Sequence, residues 1–145
     1  MSEFRTRLMS LVGILAVCGI VVSSVSLQNH YATSKTAYCD IGAAFDCDIV
    51  NRSEYSSILG IPVALIGMIG YGALAGLVTV YRERRETPLM LLSGAAAGLA
   101  FALYLTYIEG HVLGVWCILC LSSLALITTI TILSGLIWWK RYASR

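Results

Sequence analysis

The chain has 145 residues, of which 58% are hydrophobic and 12% are charged, with a formal net charge of +2. A mean hydropathy of +0.81 excludes a water-soluble domain of this length and is typical of a polytopic membrane protein. The absence of a basic tract from the sequence also argues against a nucleic-acid partner.

Four apolar runs follow one another along the chain, each long enough to cross about 30 Å of hydrocarbon as a helix. They are residues 8–27, 58–81, 89–108 and 112–139. The first run is longer than the roughly 7 to 15 apolar residues of a cleaved signal peptide, so we interpret it as a retained span. The sequence therefore predicts an all-α membrane protein: one domain over residues 1–145, built as a bundle of four transmembrane helices in the lipid bilayer.

Basic residues concentrate at the N-terminus, between the second and third runs, and at the C-terminus. The loop at residues 28–57 instead carries four acidic residues against two basic ones. Because lysine and arginine accumulate on the cytoplasmic side of membrane proteins, we predict a multi-pass plasma-membrane protein with both termini in the cytoplasm. The loop at 28–57 would then be extracytoplasmic.

Five cysteines are distributed unevenly over this topology. Cys18 lies inside the first apolar run, where we interpret it as a small packing residue. Cys39 and Cys47 lie in the outward loop, and Cys117 and Cys120 lie near the outer end of the fourth run. These four thiols are predicted to meet on the oxidising side of the membrane, where disulfides persist.

Each cysteine pair has a structural interpretation as well as a redox one. Cys39 and Cys47, taken alone, would be interpreted as a staple on an exposed loop. A disulfide between Cys117 and Cys120 closes almost no chain and so stabilises little, and a helix start favours a thiolate, which makes redox chemistry the better explanation there. A metal site is disfavoured because the spacing of Cys39 and Cys47 is atypical and no histidine lies close in sequence, so we predict no metal ligands.

Thiols at the boundary between water and lipid are well placed to reduce a quinone dissolved in the membrane. No nucleotide-binding or hydrolase motif competes with this interpretation. A reduced extracytoplasmic thioredoxin-fold protein would exchange with the loop disulfide, and the electrons would continue through the second pair to the quinone.

The sequence resembles the vitamin K epoxide reductase family over nearly its whole length, in particular its short microbial members without a fused thioredoxin-like domain. The resemblance depends on the spacing of Cys39 and Cys47, on DIVNRS at 48–53, on LGIPVA at 59–64 and on WCILC at 116–120. The order of the pairs separates it from the DsbB family, a similar four-helix quinone reductase in which the CxxC pair comes first.

The resemblance implies a bundle around a quinone, capped by the outward loop with a short helix after Cys47. It also implies a role for each thiol: Cys39 would face the partner, Cys47 would pass electrons to Cys117 through a transient disulfide, and Cys120 would act on the quinone. Ser53 matches the family's Ser/Thr position and would hydrogen-bond near the quinone or the active thiol.

Ser56 and Leu124 occupy the positions at which vertebrate members carry an asparagine and a tyrosine that hold the quinone ring. With Ser53 and Cys120 they are the predicted quinone contacts. Their identities disfavour epoxide reduction and favour menaquinone or ubiquinone as the acceptor. We interpret His30 as an interfacial residue. Glu109 has two interpretations: it stabilises a helix start, which is the more common role of such a carboxylate, or it assists proton movement on the outer side.

Taken together, the sequence and the resemblance predict a quinone-dependent thiol oxidoreductase that reoxidises a DsbA-like partner and supports disulfide bond formation. Two alternatives stay open. One is a membrane protein without enzymatic activity whose disulfides are structural, and the other is a metal-binding membrane protein.

Overall fold

The computed structural model describes residues 2–35 and 37–145, and four long helices formed by these residues build a bundle. They are α1 (Ser2–Tyr31), α3 (Val63–Thr79), α4 (Thr87–Ile108) and α5 (Ile118–Ala143). Between α1 and α3 lie a short helix α2 (Cys47–Asn51), a 3₁₀ turn (Glu54–Ser56) and a hairpin of β1 (Ser57–Ile58) and β2 (Ile61–Pro62). A π-helical turn (Glu109–Leu113) continues α4.

The helices only partly match the predicted spans. Among the described residues, three segments are long and apolar enough to cross a membrane: Ser2–Tyr31, Thr87–Leu113 and Ile118–Ala143. The second predicted span corresponds to α3, an apolar helix of 17 residues that is shorter than these. A membrane-embedded helical bundle is therefore supported, whereas a full set of four spans is not confirmed.

The second predicted span begins too early, because the chain forms a hairpin before α3. Leu59 and Gly60 have φ angles of 53° and 81°, and β1 and β2 pair on either side of them with Ile58 opposite Ile61. Two central residues with positive φ are the signature of a tight two-residue hairpin turn. Pro62 follows, and the helix begins at Val63 instead of residue 58.

The fourth predicted span also begins too early, at residue 112 instead of 118. The π-helical turn ends at Gly114, which adopts a left-handed φ of 68° that glycine accommodates without strain. After this reversal the chain is extended up to Cys117, the N-cap residue of α5. The predicted membrane stretch at 112–117 is thus a connection that leads to the thiols.

The core of the bundle is formed where α1 packs against α3 and α5. Met9, Val12 and Ala16 of α1 are buried together with Leu91 of α4 and Ile130 of α5. One face of α1 is therefore covered along much of its length, and this helix connects the two ends of the bundle.

The basic regions of the chain come together at one end of α1. Arg82 donates to the carbonyl oxygen of Thr6 (3.0 Å), Arg5 lies 3.7 Å from Glu83, and Lys140 lies 3.6 Å from the ring centre of Phe4. At the opposite end of α1, about 36 Å away by helix rise, the last turn packs against α2. The basic residues thus lie at the end of the bundle opposite the thiols. The orientation of the bundle in a membrane stays a prediction.

Candidate redox site

Cys39 and Cys47 form a disulfide in the loop between α1 and α3. Their Cα atoms are 5.6 Å apart, within the usual span of a disulfide. Both residues are almost completely buried, with exposed fractions of 1% and 0%. Cys39, the thiol predicted to face a partner, is therefore closed off from solvent in this conformation.

A short stretch of backbone pairing connects this loop to the chain before α5. Phe45 and Trp116 form a parallel bridge, in which the amide of Trp116 donates to Ala44 (2.9 Å) and the amide of Asp46 donates to Trp116 (3.1 Å). In a parallel pairing the residues that follow also run side by side. This register brings Cys47 next to Cys117.

The two cysteine pairs meet through this register. The Cys117 Sγ lies 3.4 Å from the Cys47 Sγ, although 70 residues separate them in sequence. Cys117 is fully buried and carries a free thiol, and Cys120, also free, is partly buried. The structure therefore holds an oxidised loop pair against a reduced CxxC pair, at a distance from which sulfur can attack sulfur.

Helix starts shape the surroundings of both central thiols. Cys47 is the first residue of α2, which Asp46 caps by accepting hydrogen bonds from the amides of Asp48 (3.0 Å) and Ile49 (3.1 Å). Cys117 is the N-cap of α5, and its sulfur accepts a hydrogen bond from the Cys120 amide (3.4 Å). The Cys117 sulfur thus lies where a helix amide points toward it, whereas the amides at the start of α2 bond to Asp46.

Cys117 lies just before the apolar segment of α5, and the pKa of its thiol is lowered for a local reason. The hydrogen bond with the Cys120 side chain lowers the pKa of the Cys117 thiol below its ordinary value, and this effect outweighs the opposing effect of burial. A hydrogen bond to the charged form favours that form. Cys117 is therefore suited to leave as a thiolate when a disulfide to Cys47 is broken.

Asn51, which the sequence did not single out, also contacts Cys117. Its side-chain amide donates to the Cys117 sulfur (3.8 Å), while its oxygen accepts a hydrogen bond from the Ser26 hydroxyl (2.6 Å). Ser26 lies on α1, so Asn51 connects three elements at the thiol end. No sequence signal predicted this contact, because 66 residues separate Asn51 from Cys117.

His30 and the two predicted serine contacts lie together beside Asn51. The His30 Nδ1 lies 2.5 Å from the Asn51 carbonyl oxygen and 3.2 Å from the Ser56 Oγ, so we assign the Nδ1 proton to the bond with the carbonyl. Ser53 and Ser56 donate their hydroxyl protons to the backbone oxygens of Val50 (2.8 Å) and Ser53 (2.6 Å). The two serines therefore present oxygen acceptors rather than free donors.

Glu109 is the second residue whose surroundings the sequence did not predict. The carboxyl group is 2% exposed, and its Oε2 accepts a hydrogen bond from the amide of Cys117 (3.2 Å). The sequence offers two interpretations of Glu109, a loop carboxylate that stabilises a helix start or one that assists proton movement on the outer side. Glu109 does contact the start of α5, but it is buried beside the CxxC pair.

A cavity of about 370 Å³ opens from the thiol end into the bundle, between helices α1, α3, α4 and α5. Its wall is mostly apolar, with a small number of polar side chains. The predicted contacts Ser53, Ser56 and Cys120 line it, whereas Leu124 does not. Leu124 is turned away because the neighbouring Ser123 faces the cavity and bonds to the Tyr71 hydroxyl (2.8 Å).

This cavity has the size and character that a quinone ring requires. Sites for small ligands are typically about 300 to 1,000 Å³, apolar, and furnished with a few polar groups that fix orientation. Apolar side chains would contact the ring and the start of its tail, among them Ile66, Leu74 and Phe101. The serine oxygens, His30 and Glu109 would offer polar contacts at the ring end.

Two further predictions concern residues outside this arrangement. Cys18 is exposed on the surface of α1, so its interpretation as a packing residue is wrong: it lies on the outward face of an apolar helix. Within residues 2–35 and 37–145, no group of three or more histidine, cysteine, aspartate or glutamate residues is placed to hold a metal ion.

Comparison with known protein families agrees with this arrangement. A sequence model described as the vitamin K epoxide reductase family matches residues 10–135. The matched range includes both cysteine pairs, Asn51, Glu109 and most of each long helix.

Proposed function

The chain belongs to the vitamin K epoxide reductase family, and from that premise we propose that it reoxidises an extracytoplasmic thioredoxin-fold, DsbA-like partner and delivers the electrons to a membrane quinone. Family membership makes it a membrane disulfide oxidoreductase. The observation that carries the proposal is the 3.4 Å distance between the sulfurs of Cys47 and Cys117, next to a cavity that Cys120 lines. Menaquinone and ubiquinone are the proposed acceptors.

The first proposed step takes electrons from the partner. A partner thiolate attacks Cys39, breaks its bond to Cys47 and forms a mixed disulfide, which the partner's second thiol then resolves. The partner leaves with a disulfide, and the loop pair is left with two thiols. Burial of Cys39 means that this step requires a movement of the loop around residues 37–44.

The second proposed step moves two electrons inward. With Cys117 and Cys120 joined as a disulfide, the Cys47 thiolate attacks the Cys117 sulfur and Cys120 leaves as a thiolate. Cys39 then attacks Cys47, which restores the loop disulfide and releases the Cys117 thiolate, and the two protons given up by Cys39 and Cys47 are taken up by the two thiolates of the CxxC pair. The arrangement in the structure, with the loop pair oxidised and Cys117 and Cys120 free, corresponds to the end of this step.

The third proposed step occurs at the cavity. A bound quinone would supply the capacity to accept two electrons and two protons. Cys120 would face it, the apolar wall would hold the ring and exclude water, and the serine oxygens would accept hydrogen bonds from the hydroxyls of the reduced ring. The CxxC disulfide would form again as the thiol protons depart.

We further propose that the chain is one membrane domain with both termini in the cytoplasm. The gathering of the basic residues at the end of the bundle opposite the thiols supports this orientation. Together with the hairpin before it, α3 would be the remaining pass, since a helix of about 17 residues is at the short limit for crossing the hydrocarbon.

The test is quinone reduction by the purified protein in detergent, supplied with a reduced thioredoxin-fold substrate and a soluble menaquinone or ubiquinone analogue. Wild type and Cys18→Ala, the matched control on the outer face of α1, should reduce the quinone at the same rate. Cys120→Ala should be inactive. Activity retained in Cys120→Ala would contradict the assignment of the terminal thiol, and no reduction of either quinone by wild type would favour structural disulfides.

A further inference from the structure

Glu109 is a buried carboxyl group that the thiol relay does not use. It is 2% exposed at the junction of α4 and the π-helical turn, and no ion pair to a cation is found for it among the described residues. A carboxyl group in such a place is costly unless its charge is stabilised or it carries a proton. Its position therefore needs a structural or chemical reason.

The contacts of Glu109 point to the CxxC pair. One oxygen accepts the amide hydrogen of Cys117 at 3.2 Å, and the carboxyl group also interacts with the thiol of Cys120. Glu109 and Cys120 line the same cavity. A proton acceptor thus lies beside the thiol that faces the proposed quinone site.

We propose that Glu109 is the proton acceptor for the Cys120 thiol. In the proposed step the S–H bond of Cys120 breaks, its proton forms an O–H bond on the Glu109 carboxylate, and the electron pair stays on sulfur as a thiolate. When the CxxC pair is oxidised, two electrons leave to the quinone, Glu109 gives up the Cys120 proton toward the reduced ring, and the Cys117 thiol gives up the second proton that the ring takes up. The role of this proton transfer in quinone reduction rests on the proposed function, but the transfer itself can be tested without a quinone.

The histidines, the other carboxylate and the other cysteine side chain on neighbouring elements have partners of their own. From α1, His30 is bonded through Nδ1 to the backbone of α2. From α2, Asp48 lies 3.7 Å from Arg52, and Cys47 is held in the loop disulfide. On the same turn as Glu109, the exposed His111 stacks on Tyr107 with ring centres 4.4 Å apart. From α5, only the two CxxC thiols interact with the Glu109 carboxyl group among the described residues.

A purely structural role would also explain the bond from Glu109 to the Cys117 amide. Substitution by glutamine separates the two explanations, because the glutamine side chain keeps an oxygen that accepts this amide hydrogen but has no basic site for a thiol proton. In a third explanation Glu109 acts only as a negative charge, and Glu109→Gln should then make Cys120 react faster instead of more slowly. Removing a neighbouring negative charge favours the thiolate and would speed its reactions.

The experiment measures the reaction of Cys120 with methyl methanethiosulfonate, a small neutral thiol reagent, in protein free of quinone. The background is Cys18→Ala with Cys117→Ala, which leaves Cys120 as the free thiol beside the intact loop disulfide. At neutral pH, Glu109→Gln should slow the reaction by about 100-fold, in the range of general base catalysis. Glu54→Gln changes an exposed residue in the 3₁₀ turn after α2 and removes the same charge, and it should leave the rate unchanged.

An unchanged or faster reaction in Glu109→Gln would overturn the inference, whatever the outcome of the quinone assay. Glu109→Asp keeps a carboxylate and should slow the reaction less than about tenfold; a loss in Glu109→Asp alone, with an unchanged rate in Glu109→Gln, would assign the effect to the backbone contact.

If Glu109→Gln does not fold, the pH profile of the background protein, which keeps its natural Glu109, decides the question. With a carboxylate as base, the rate should stay level below the pKa of the thiol and fall only where the carboxylate itself takes up a proton. A rate that depends on thiolate alone would fall continuously as the pH is lowered from that pKa. Such a profile, without the level region, would overturn the inference.

Discussion

Substituting Gly19 by alanine should destabilise the bundle and narrow the cavity at the same time. A Cβ atom at Gly19 would lie 2.6 Å from Cγ of Tyr71 and would overlap two further atoms of that ring. Tyr71 is 5% exposed and lines the cavity, and its hydroxyl contacts the backbone oxygen (2.9 Å) and the hydroxyl (2.8 Å) of Ser123. The ring therefore has to move away from α1 and toward the cavity.

The size of the effect follows from three contributions. Carbon atoms pack at about 3.5 to 4.0 Å, so the ring must shift by roughly 1 Å, and overpacking of this kind costs about 1–3 kcal/mol. Loss of the hydroxyl contacts adds about 0.6 kcal/mol for each bond in a membrane bundle. Replacing a helical glycine by alanine stabilises the helix by roughly 0.5–1 kcal/mol, which offsets part of these two losses. The free energy of unfolding should therefore fall by about 1–3 kcal/mol.

The assay is reversible unfolding in mixed detergent micelles, followed by helix content, together with the KM for the quinone analogue. Gly72→Ala is the matched control, because a Cβ atom at Gly72 of α3 would meet no atom within 4 Å. Gly72→Ala should leave stability equal or slightly higher, and Gly19→Ala should lower stability and raise KM. Equal stabilities for the two variants would refute the packing argument, and an unchanged KM with lowered stability would refute the displacement of the ring into the cavity.

Two further predictions concern the helix starts at the thiol end. Asp46→Ala removes the cap of α2 and should lower the free energy of unfolding by about 0.5–2 kcal/mol; Asp40→Ala, in the exposed part of the loop, is the comparison, and equal effects of the two changes would argue against the cap. Cys120→Ala removes the side-chain hydrogen bond that lowers the pKa of Cys117, so this pKa should rise and less thiolate should form at a given pH. The pH midpoint of Cys117 alkylation, measured by peptide mass spectrometry, should therefore move upward, and a midpoint that stays or falls would contradict this cause.

The apolar runs predicted the long helices well, but the places where those helices begin depend on local turns. Leu59 has a positive φ, which an apolar sequence pattern does not indicate. The hairpin turn at this residue makes α3 begin later in the chain than predicted. Gly114 also has a positive φ, and the turn at this residue makes α5 begin later in the chain than predicted. Hydrophobicity reports that a segment is buried or lies in lipid, whereas the turn that precedes the helix depends on backbone conformation.

The four thiols can be found in the sequence because their chemistry and spacing mark them. Asn51 and Glu109 cannot be assigned to the site in this way, since an asparagine in a loop and a glutamate near a helix start both have ordinary explanations. Their importance comes from a tertiary contact: the pairing of Phe45 with Trp116 brings α2 and α5 together. Leu124 is the opposite case: its position in the sequence predicts a quinone contact, but it does not line the cavity. An alignment position does not determine which face of α5 lines the cavity.

The most direct test of the account is whether Cys47 and Cys117 form a disulfide with each other. In a Cys18→Ala, Cys39→Ala, Cys120→Ala protein these two thiols remain, and mild oxidation with diamide should join them in nearly all molecules. The matched protein carries Cys117→Ala in place of Cys120→Ala, which leaves Cys47 with Cys120, and it should form much less of the bond. Peptide mass spectrometry that finds Cys47 and Cys117 unjoined, or joined no more than Cys47 and Cys120, would contradict the proposed electron path.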